Sequence, residues 1–337
     1  MDDHPLQMIE PPPATLGTAD PLISGRDFYQ LVLLPALFLV AWTCSDRLCE
    51  RLCRGLARLL YKLRPSRYEN YARIFRMLQP GPSDTPPPAH LIQEAIALRH
   101  LEWLQLLRYH RPGSWTPKVR LKGGAHLDRA LSSGRGAILW RPHSPFSEVV
   151  SKAALHENGY ALWQLSRHTH GHFSSTRFGV RFLNPIRIAI ERRYLAGRVV
   201  IDPMNTNKSL MRMMRLLAQN KAVGITVWAE ADRVAMVPFE ETMLAMPPGP
   251  AVLSFKTGAA LLPIFTERNP DGSFQVTIEE PLEAPADGDL EERLAHVLRR
   301  QSALMGAYFR RLPSQFHYAY LHEATERLRN WMAAGYQ

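Results

Sequence analysis

Apolar and polar positions follow two different rhythms near the start of this chain. From Phe28 to Cys44 the residues are apolar apart from Gln30, Pro35 and Thr43. A spanning helix needs about 20 apolar residues, with a lower bound near 17, so the run predicts a helix at the lower limit of a membrane span. From Asp46 to Leu63 the pattern becomes periodic. Leu48, Leu52, Leu56, Leu59, Leu60 and Leu63 form one series, and Arg47, Arg51, Arg54, Arg58 and Lys62 form another. Spacings of three and four put the two series on separate faces of one helix. A leucine face beside a basic face is the pattern of a helix lying in a membrane interface. An ordinary amphipathic helix packed on a domain has the same period.

Beyond this segment the rhythm alternates between short apolar runs and helical stretches. Candidate strands are Ala137–Trp140, Ala161–Leu165, Arg198–Ile201, Ala222–Val227, Ala260–Phe265 and Phe274–Ile278. Helical periodicity covers 90–109, 146–158, 206–220, 249–258 and 289–312. Strands alternating with helices predict an α/β fold with a central, mainly parallel sheet covered by helices on both faces. The Pro-rich stretch 79–88 reads as a linker or surface loop. The chain thus divides into a flexible N-terminus (1–27), a membrane anchor with an interfacial amphipathic helix (28–64), an α/β body (65–325) and a C-terminal tail (326–337).

Composition narrows the function classes. The chain has 337 residues, 46% of them hydrophobic, which is ample for a large core. Its three cysteines, Cys44, Cys49 and Cys53, make no disulfide framework. The formal net charge is +10, so an acidic partner is expected. Nine bases against three acids lie between Asp46 and Arg76. That surplus beside the apolar run points the charge at a bilayer surface. The bases are not interleaved with stacking aromatics, so nucleic acid is not the expected partner. Bases following the run also place this end on the cytoplasmic side.

Four constellations offer chemistry. Trp140-Arg141-Pro142-His143-Ser144-Pro145-Phe146-Ser147-Glu148 lies where a strand ends and a helix begins, the place where open α/β sheets build their sites. Ser144 is a plausible helix cap, with Pro145 at the first helical position. With His143 in the turn, Glu148 in the first helical turn can converge on it. A carboxylate at one ring nitrogen leaves the other as a base; a capped helix with an incidental histidine is the plain alternative. Glu230 and Arg233 follow the strand at 222–227 and suit a polar or phosphate-bearing group, or form a surface ion pair. Arg192 and Arg193 can clamp phosphate, though exposed arginines on helices are common. His168, His170 and His172 alternate in a way that can bind zinc or copper, or line a polar loop.

The stretch Val119–Glu148, with Gly123-Gly124, His126-Leu127, Gly134-Arg135-Gly136 and His143-x4-Glu148, resembles the lysophospholipid acyltransferase superfamily. More closely it resembles the lipid A biosynthesis late acyltransferases. Arg67-Tyr68-Glu69-Asn70, Asn184-Pro185 with Arg193, Glu230–Arg233, Leu261–Phe265 with Arg268, and Pro313-Ser314-Gln315-Phe316 with His322 follow in the family's order. The resemblance departs at Ser144-Pro145-Phe146-Ser147, where the family carries Phe-Gly-Asn-Trp, and in the loss of a C-terminal Trp-x-His-Arg-Arg.

The resemblance implies a glycerolipid acyltransferase-like fold and O-acyl transfer from an acyl carrier protein or acyl-CoA thioester to a lipid or glycolipid hydroxyl. It needs no cofactor beyond that co-substrate. His143 is the expected base and Glu148 its orienting partner, and backbone N–H groups of the turn after His143 are candidate oxyanion donors. Arg193, Glu230 and Arg233 are expected to hold a polar head group or the donor's phosphopantetheine. The expected setting is the bacterial inner membrane, with the catalytic body on its cytoplasmic face. A degenerate, lipid-binding scaffold is the competing expectation, and a metal-dependent hydrolase built on the histidine cluster a third.

Overall fold

The computed structural model describes residues 6–9, 21–78, 89–113, 115–167, 169–171, 173–202, 206–226 and 233–317. After the short strand β1 (Met8–Ile9), four helices follow: α1 (Gly25–Thr43), α2 (Asp46–Leu63), α3 (Glu69–Leu78) and α4 (Ala89–Arg108). The middle of the chain contains β2 (Val119–Lys122), α5 (Gly124–Ser132), β3 (Ala137–Arg141), α6 (Ser147–Glu157), β4 (Leu162–Ser166), α7 (Pro185–Glu191) and β5 (Gly197–Val200). Then come α8 (Thr206–Ala218), β6 (Ala222–Thr226), β7 (Val234–Phe239), β8 (Thr242–Met246), α9 (Gly249–Thr257), β9 (Ala260–Arg268), β10 (Phe274–Ile278) and α10 (Leu290–Arg311).

Seven strands form the main sheet in the order β2-β10-β9-β3-β6-β4-β5. All its pairings are parallel except β9 with β10. Strand β3 lies between β9 and β6, and all five of its residues are buried. Burial on both faces is why its sequence, Ala-Ile-Leu-Trp-Arg, does not alternate. The mainly parallel, helix-covered sheet matches the expectation. The hairpin β7–β8, which pairs with β1 as a second sheet, was not anticipated. The proposed linker 79–88 and the tail 326–337 lie outside the described residues.

Gly123 is required where β2 turns into α5. Its φ is +75°, and a Cβ there would collide with the carbonyl oxygen of Ile278 on β10.

The N-terminal helices correct one expectation. No helix among the described residues is long and apolar enough to cross a membrane. The first turn of α1 holds Arg26 and Asp27, and Pro35 lies inside the helix, so the apolar stretch falls short of a span. Ala41 of α1 is fully buried, and Trp42 Nε1 donates to the carbonyl of Leu107 in α4. Of the leucine face of α2 only Leu60 packs partly against the core, and the basic face does not supply the joint with α4. A third stripe of small residues, Cys49, Cys53 and Ala57, is buried, while Leu48, Leu52, Leu56, Leu59 and Leu63 stay exposed. Ala41, Cys49, Cys53 and Ala57 join the same hydrophobic core as the sheet.

Arg108, at the end of α4, stitches these helices together. Only 2% exposed, it donates from Nε to the carbonyl of Ala41 (2.8 Å) and from its terminal nitrogens to the carbonyl of Cys44 and the carboxylate of Asp46. Arg108→Ala would leave buried carbonyls without donors. It should cost about 2–4 kcal/mol in denaturant unfolding, whereas Leu52→Ala on the exposed face should stay within about 0.5 kcal/mol.

Candidate active site

The central strand β3 ends at Arg141, and a buried turn, Pro142 to Phe146, leads into α6. The turn is built differently from the sequence expectation. The residue before α6 is Phe146, in the left-handed region at φ 69°, and not Ser144. A bulky residue seldom adopts this conformation; an asparagine, which the related pattern carries here, tolerates it better. Two contacts hold it. The Phe146 N–H donates to Glu102 Oε1 of α4 at 3.2 Å, and its ring rests on Phe274 with centroids 5.1 Å apart. Ser144 and Ser147 close the turn locally. Ser147 N–H and Oγ both donate to the carbonyl of Ser144, and Ser144 N–H donates to Ser147 Oγ. The amides of Ser144, Phe146 and Ser147 thus all have acceptors, which removes them as ready oxyanion donors.

This turn brings His143 and Glu148 together. His143 Nδ1 stands 3.8 Å from Glu148 Oε1, close enough for charge interaction but longer than a hydrogen bond. Both residues are buried. The other carboxylate oxygen, Oε2, is held by two cations: Arg141 at 2.7 Å and Lys152, one helical turn along α6, at 3.2 Å. Lys152 Nζ also lies 2.9 Å from Glu191 Oε2 at the end of α7. Glu191 in turn faces His170 Nε2 at 2.8 and 3.0 Å. Arg141 reaches further, to Thr226 Oγ1 at the end of β6.

Burial decides the charge of each partner. It pushes the His143 imidazole down to about 3, outweighing Glu148; Arg141, Arg187 and His170 add to the depression. Burial works to raise Glu148, but Arg141 and Lys152 overcome it and hold the carboxyl well below its usual range. Glu191 is lowered in the same way by Lys152 and His170 against burial. Burial lowers Lys152, with Glu191 and Glu148 opposing it. Near neutral pH, His143 is therefore an uncharged imidazole with Nδ1 turned to an ionised carboxylate. Nε2, on the opposite ring edge, is the nitrogen suited to accept a proton.

Around the pair lie groups that sequence reasoning missed. Arg187 is buried, its guanidinium 3.9 Å from Glu102, and its charge is felt at His143. Burial raises Glu102, with Arg187 opposing it. The His317 N–H donates to the carbonyl of His143 at 3.4 Å, and Arg99 donates to His317 Nε2 at 2.9 Å. Arg141 borders the motif directly, and Arg187 follows Asn184-Pro185, so both lay within stretches already singled out. Their inward direction was not readable there.

The other expected residues lie elsewhere. Arg193 is exposed and donates to the carbonyl of Tyr109 at 2.9 Å. Arg233 is exposed, 3.9 Å from Glu291. Neither is hydrogen-bonded or ion-paired to His143 or Glu148. Glu230, His168, His172 and His322 lie outside the described residues. Of the histidine cluster, His170 reaches the network through Glu191. Glu148, His170 and Glu191 present ligand atoms within 4.8 Å of one another, a spacing that suits a metal ion. The Lys152 ammonium already lies within bonding distance of both carboxylates, so the chain supplies the cation this donor set calls for.

A buried neutral histidine at the end of a central parallel strand, beside an ionised carboxylate, is equipped to draw a proton from a hydroxyl. A model of the bacterial lipid A biosynthesis acyltransferase family matches residues 29–322, and the chain belongs to that family of acyltransferases. Phosphatidylinositol mannoside acyltransferase from Mycobacterium tuberculosis is 29% identical over 147 residues in both strain CDC 1551 / Oshkosh and strain ATCC 25618 / H37Rv. The match covers 43% of this chain and 43% of each relative, so the chain spans less than half the length of the curated relatives it matches.

The charge states carry a stability consequence. His143 binds its proton at about 3 when folded and at about 6.5 when unfolded. Between those values the unfolded chain holds more protons, so stability is present above about pH 6.5 and declines as pH falls toward 3. His100 and His110, also lowered by burial, act in the same direction. Glu148 and Glu191 extend the decline below about pH 4.5. Urea unfolding measured from pH 8 to 4 should show this loss, with a shallower slope between pH 6.5 and 5 in His143→Asn.

Proposed function

We propose that this chain transfers a fatty acyl group from a thioester, carried by acyl carrier protein or CoA, to a hydroxyl of a lipid or glycolipid acceptor. The observation that carries the reading is the buried His143–Glu148 pair at the end of β3 in a chain of this acyltransferase family. His143 Nε2 takes the hydroxyl proton as the oxygen attacks the thioester carbonyl. The C–O bond forms, the C–S bond breaks, and the leaving thiolate takes the proton back from the imidazolium. Glu148 stabilises that imidazolium. With the turn amides occupied, nearby cationic side chains such as Arg187 are better suited to steady the oxyanion. The mycobacterial relative is named for a mannoside, which favours a sugar-bearing lipid acceptor, lipid A-like in its chemistry. Arg193 and Arg233, exposed as they are, would meet a head group or carrier at the surface.

The proposed setting is the cytoplasmic face of a bacterial inner membrane, met through exposed side chains of the N-terminal helices. The exposed row Leu48, Leu52, Leu56, Leu59 and Leu63 on α2 is flanked by Arg47, Arg51, Arg54, Arg58 and Lys62. Phe28, Tyr29, Leu31 and Val32 of α1 are exposed as well. Apolar side chains between cations suit the boundary between acyl chains and anionic head groups.

His143→Ala should lower acyl transfer by about 10²–10⁴-fold, assayed with membranes and labelled acyl carrier protein or acyl-CoA. Glu148→Gln should fail similarly, because the imidazolium loses its counter-charge. Wild-type protein that yields no acylated lipid with either donor would leave a lipid-binding scaffold instead. Lipid mass spectrometry of cells with and without the gene should differ by one acyl chain on the acceptor. Separately, Leu52→Glu combined with Leu56→Glu should abolish flotation with anionic liposomes while leaving the unfolding midpoint nearly unchanged.

A further inference from the structure

Glu148 has two oxygens, and the structure divides them between two tasks. Oε2 meets Arg141 at 2.7 Å and Lys152 at 3.2 Å, which leaves Oε1 turned to His143 Nδ1. Arg141 comes from the sheet. Lys152 comes from the same helix as Glu148, so its position is not independent of the carboxylate it holds. What fixes Lys152 from outside is Glu191, on a different helix, 2.9 Å from Nζ. Lys152 and Glu191 both have wholly buried side chains. His170 closes the far end of the chain of contacts at 2.8 Å from Glu191.

We propose that Lys152 and Glu191 are positioning residues for the catalytic pair, clamping Glu148 Oε2 so that Oε1 stays turned to His143 and its charge favours the tautomer with its proton on Nδ1. An isolated ammonium is costly to bury. Lys152 is retained here because two carboxylates share it, and each carboxylate is in turn held in its ionised form. Two acids (Glu148, Glu191) and two permanent or paired cations (Arg141, Lys152) keep the cluster close to neutral. Arg187 and Glu102, facing the turn from α7 and α4, form a pair on another side. If Glu191 is removed, Lys152 has only Glu148 to neutralise it and draws that carboxylate away from the histidine. If Lys152 is removed, Oε2 loses one of its two holds and the carboxylate is free to rotate. In both cases the tautomer of His143 is no longer dictated.

The kinetic part of the test rests on the acyl-transfer reading; the spectroscopic part does not. ¹⁵N-histidine NMR of the ligand-free full chain, with the His143 signals assigned by their loss in His143→Ala, should show one tautomer in the wild type. Glu191→Gln and Lys152→Met should each show a mixture. In acyl transfer both variants should lose at least about tenfold in kcat, part of the 10²–10⁴ a positioned base supplies. KM should stay within about threefold. Glu191→Asp, which keeps the charge, should recover most of the kcat lost in Glu191→Gln. A single wild-type tautomer in both variants would overturn the proposal. So would activity lost only in proportion to unfolded protein, followed by circular dichroism. Should the wild type transfer no acyl group, the function proposed above fails while the tautomer comparison still decides this one.

Discussion

Removing the carboxylate of Glu148 from water is the constraint on which the rest of the site depends. An ionised carboxylate in a dry interior is tolerated only when cations and hydrogen bonds replace its hydration. Here Arg141 and Lys152 do so. Each of those cations imposes a demand of its own. Arg141 requires that the central strand end on an inward-pointing arginine, and Lys152 requires a second buried carboxylate, Glu191. The helices α6 and α7 are therefore joined by charge as well as by packing. The same desolvation keeps His143 uncharged at neutral pH but lowers its basicity, which the charge of the neighbouring Glu148 partly restores.

The turn between His143 and Glu148 shows how a local sequence can change while its geometry is kept. Its left-handed position is occupied by Phe146, which has a steric penalty there that asparagine lacks. Glu102 accepts the Phe146 amide, and Phe274 receives the ring, so tertiary contacts hold a conformation that the residue itself disfavours. A consequence is that the amides of Ser144, Phe146 and Ser147 are occupied within the protein.

The N-terminal helices illustrate a division of labour on a single helix surface. Helix α2 uses a narrow stripe of Cys49, Cys53 and Ala57 to approach α4 closely, and Arg108 fastens the join. Its larger leucines are left outside. In an ordinary amphipathic helix the leucines would be the natural inward face; here most of them are exposed between cations, the feature on which the proposed membrane contact rests.

Much of this was legible in the sequence. The strands at 137, 222, 260 and 274 and the long helices stand out because apolar runs and helical periods need no tertiary information to be recognised. The His143-x4-Glu148 spacing could be placed at a strand end for the same reason, and the order of motifs along the chain pointed to the acyltransferase family. The hairpin β7–β8 was missed because Val234–Met246 is apolar without clear alternation and turns at Glu240-Glu241 with no Asn-Gly or Asp-Gly signal. Lys152, Glu191 and Arg187 could not be found by spacing. Each is a common residue on an ordinary helix, and only the packing of α6 against α7 and α4 turns it inward. Local pattern thus determined most of the elements and where the candidate histidine sits. The depth of burial and the meeting of charges from separate elements, which set protonation and orientation, are properties of the folded interior. The tertiary structure alone decided them, because desolvation and charge pairing depend on distances between residues far apart in the chain.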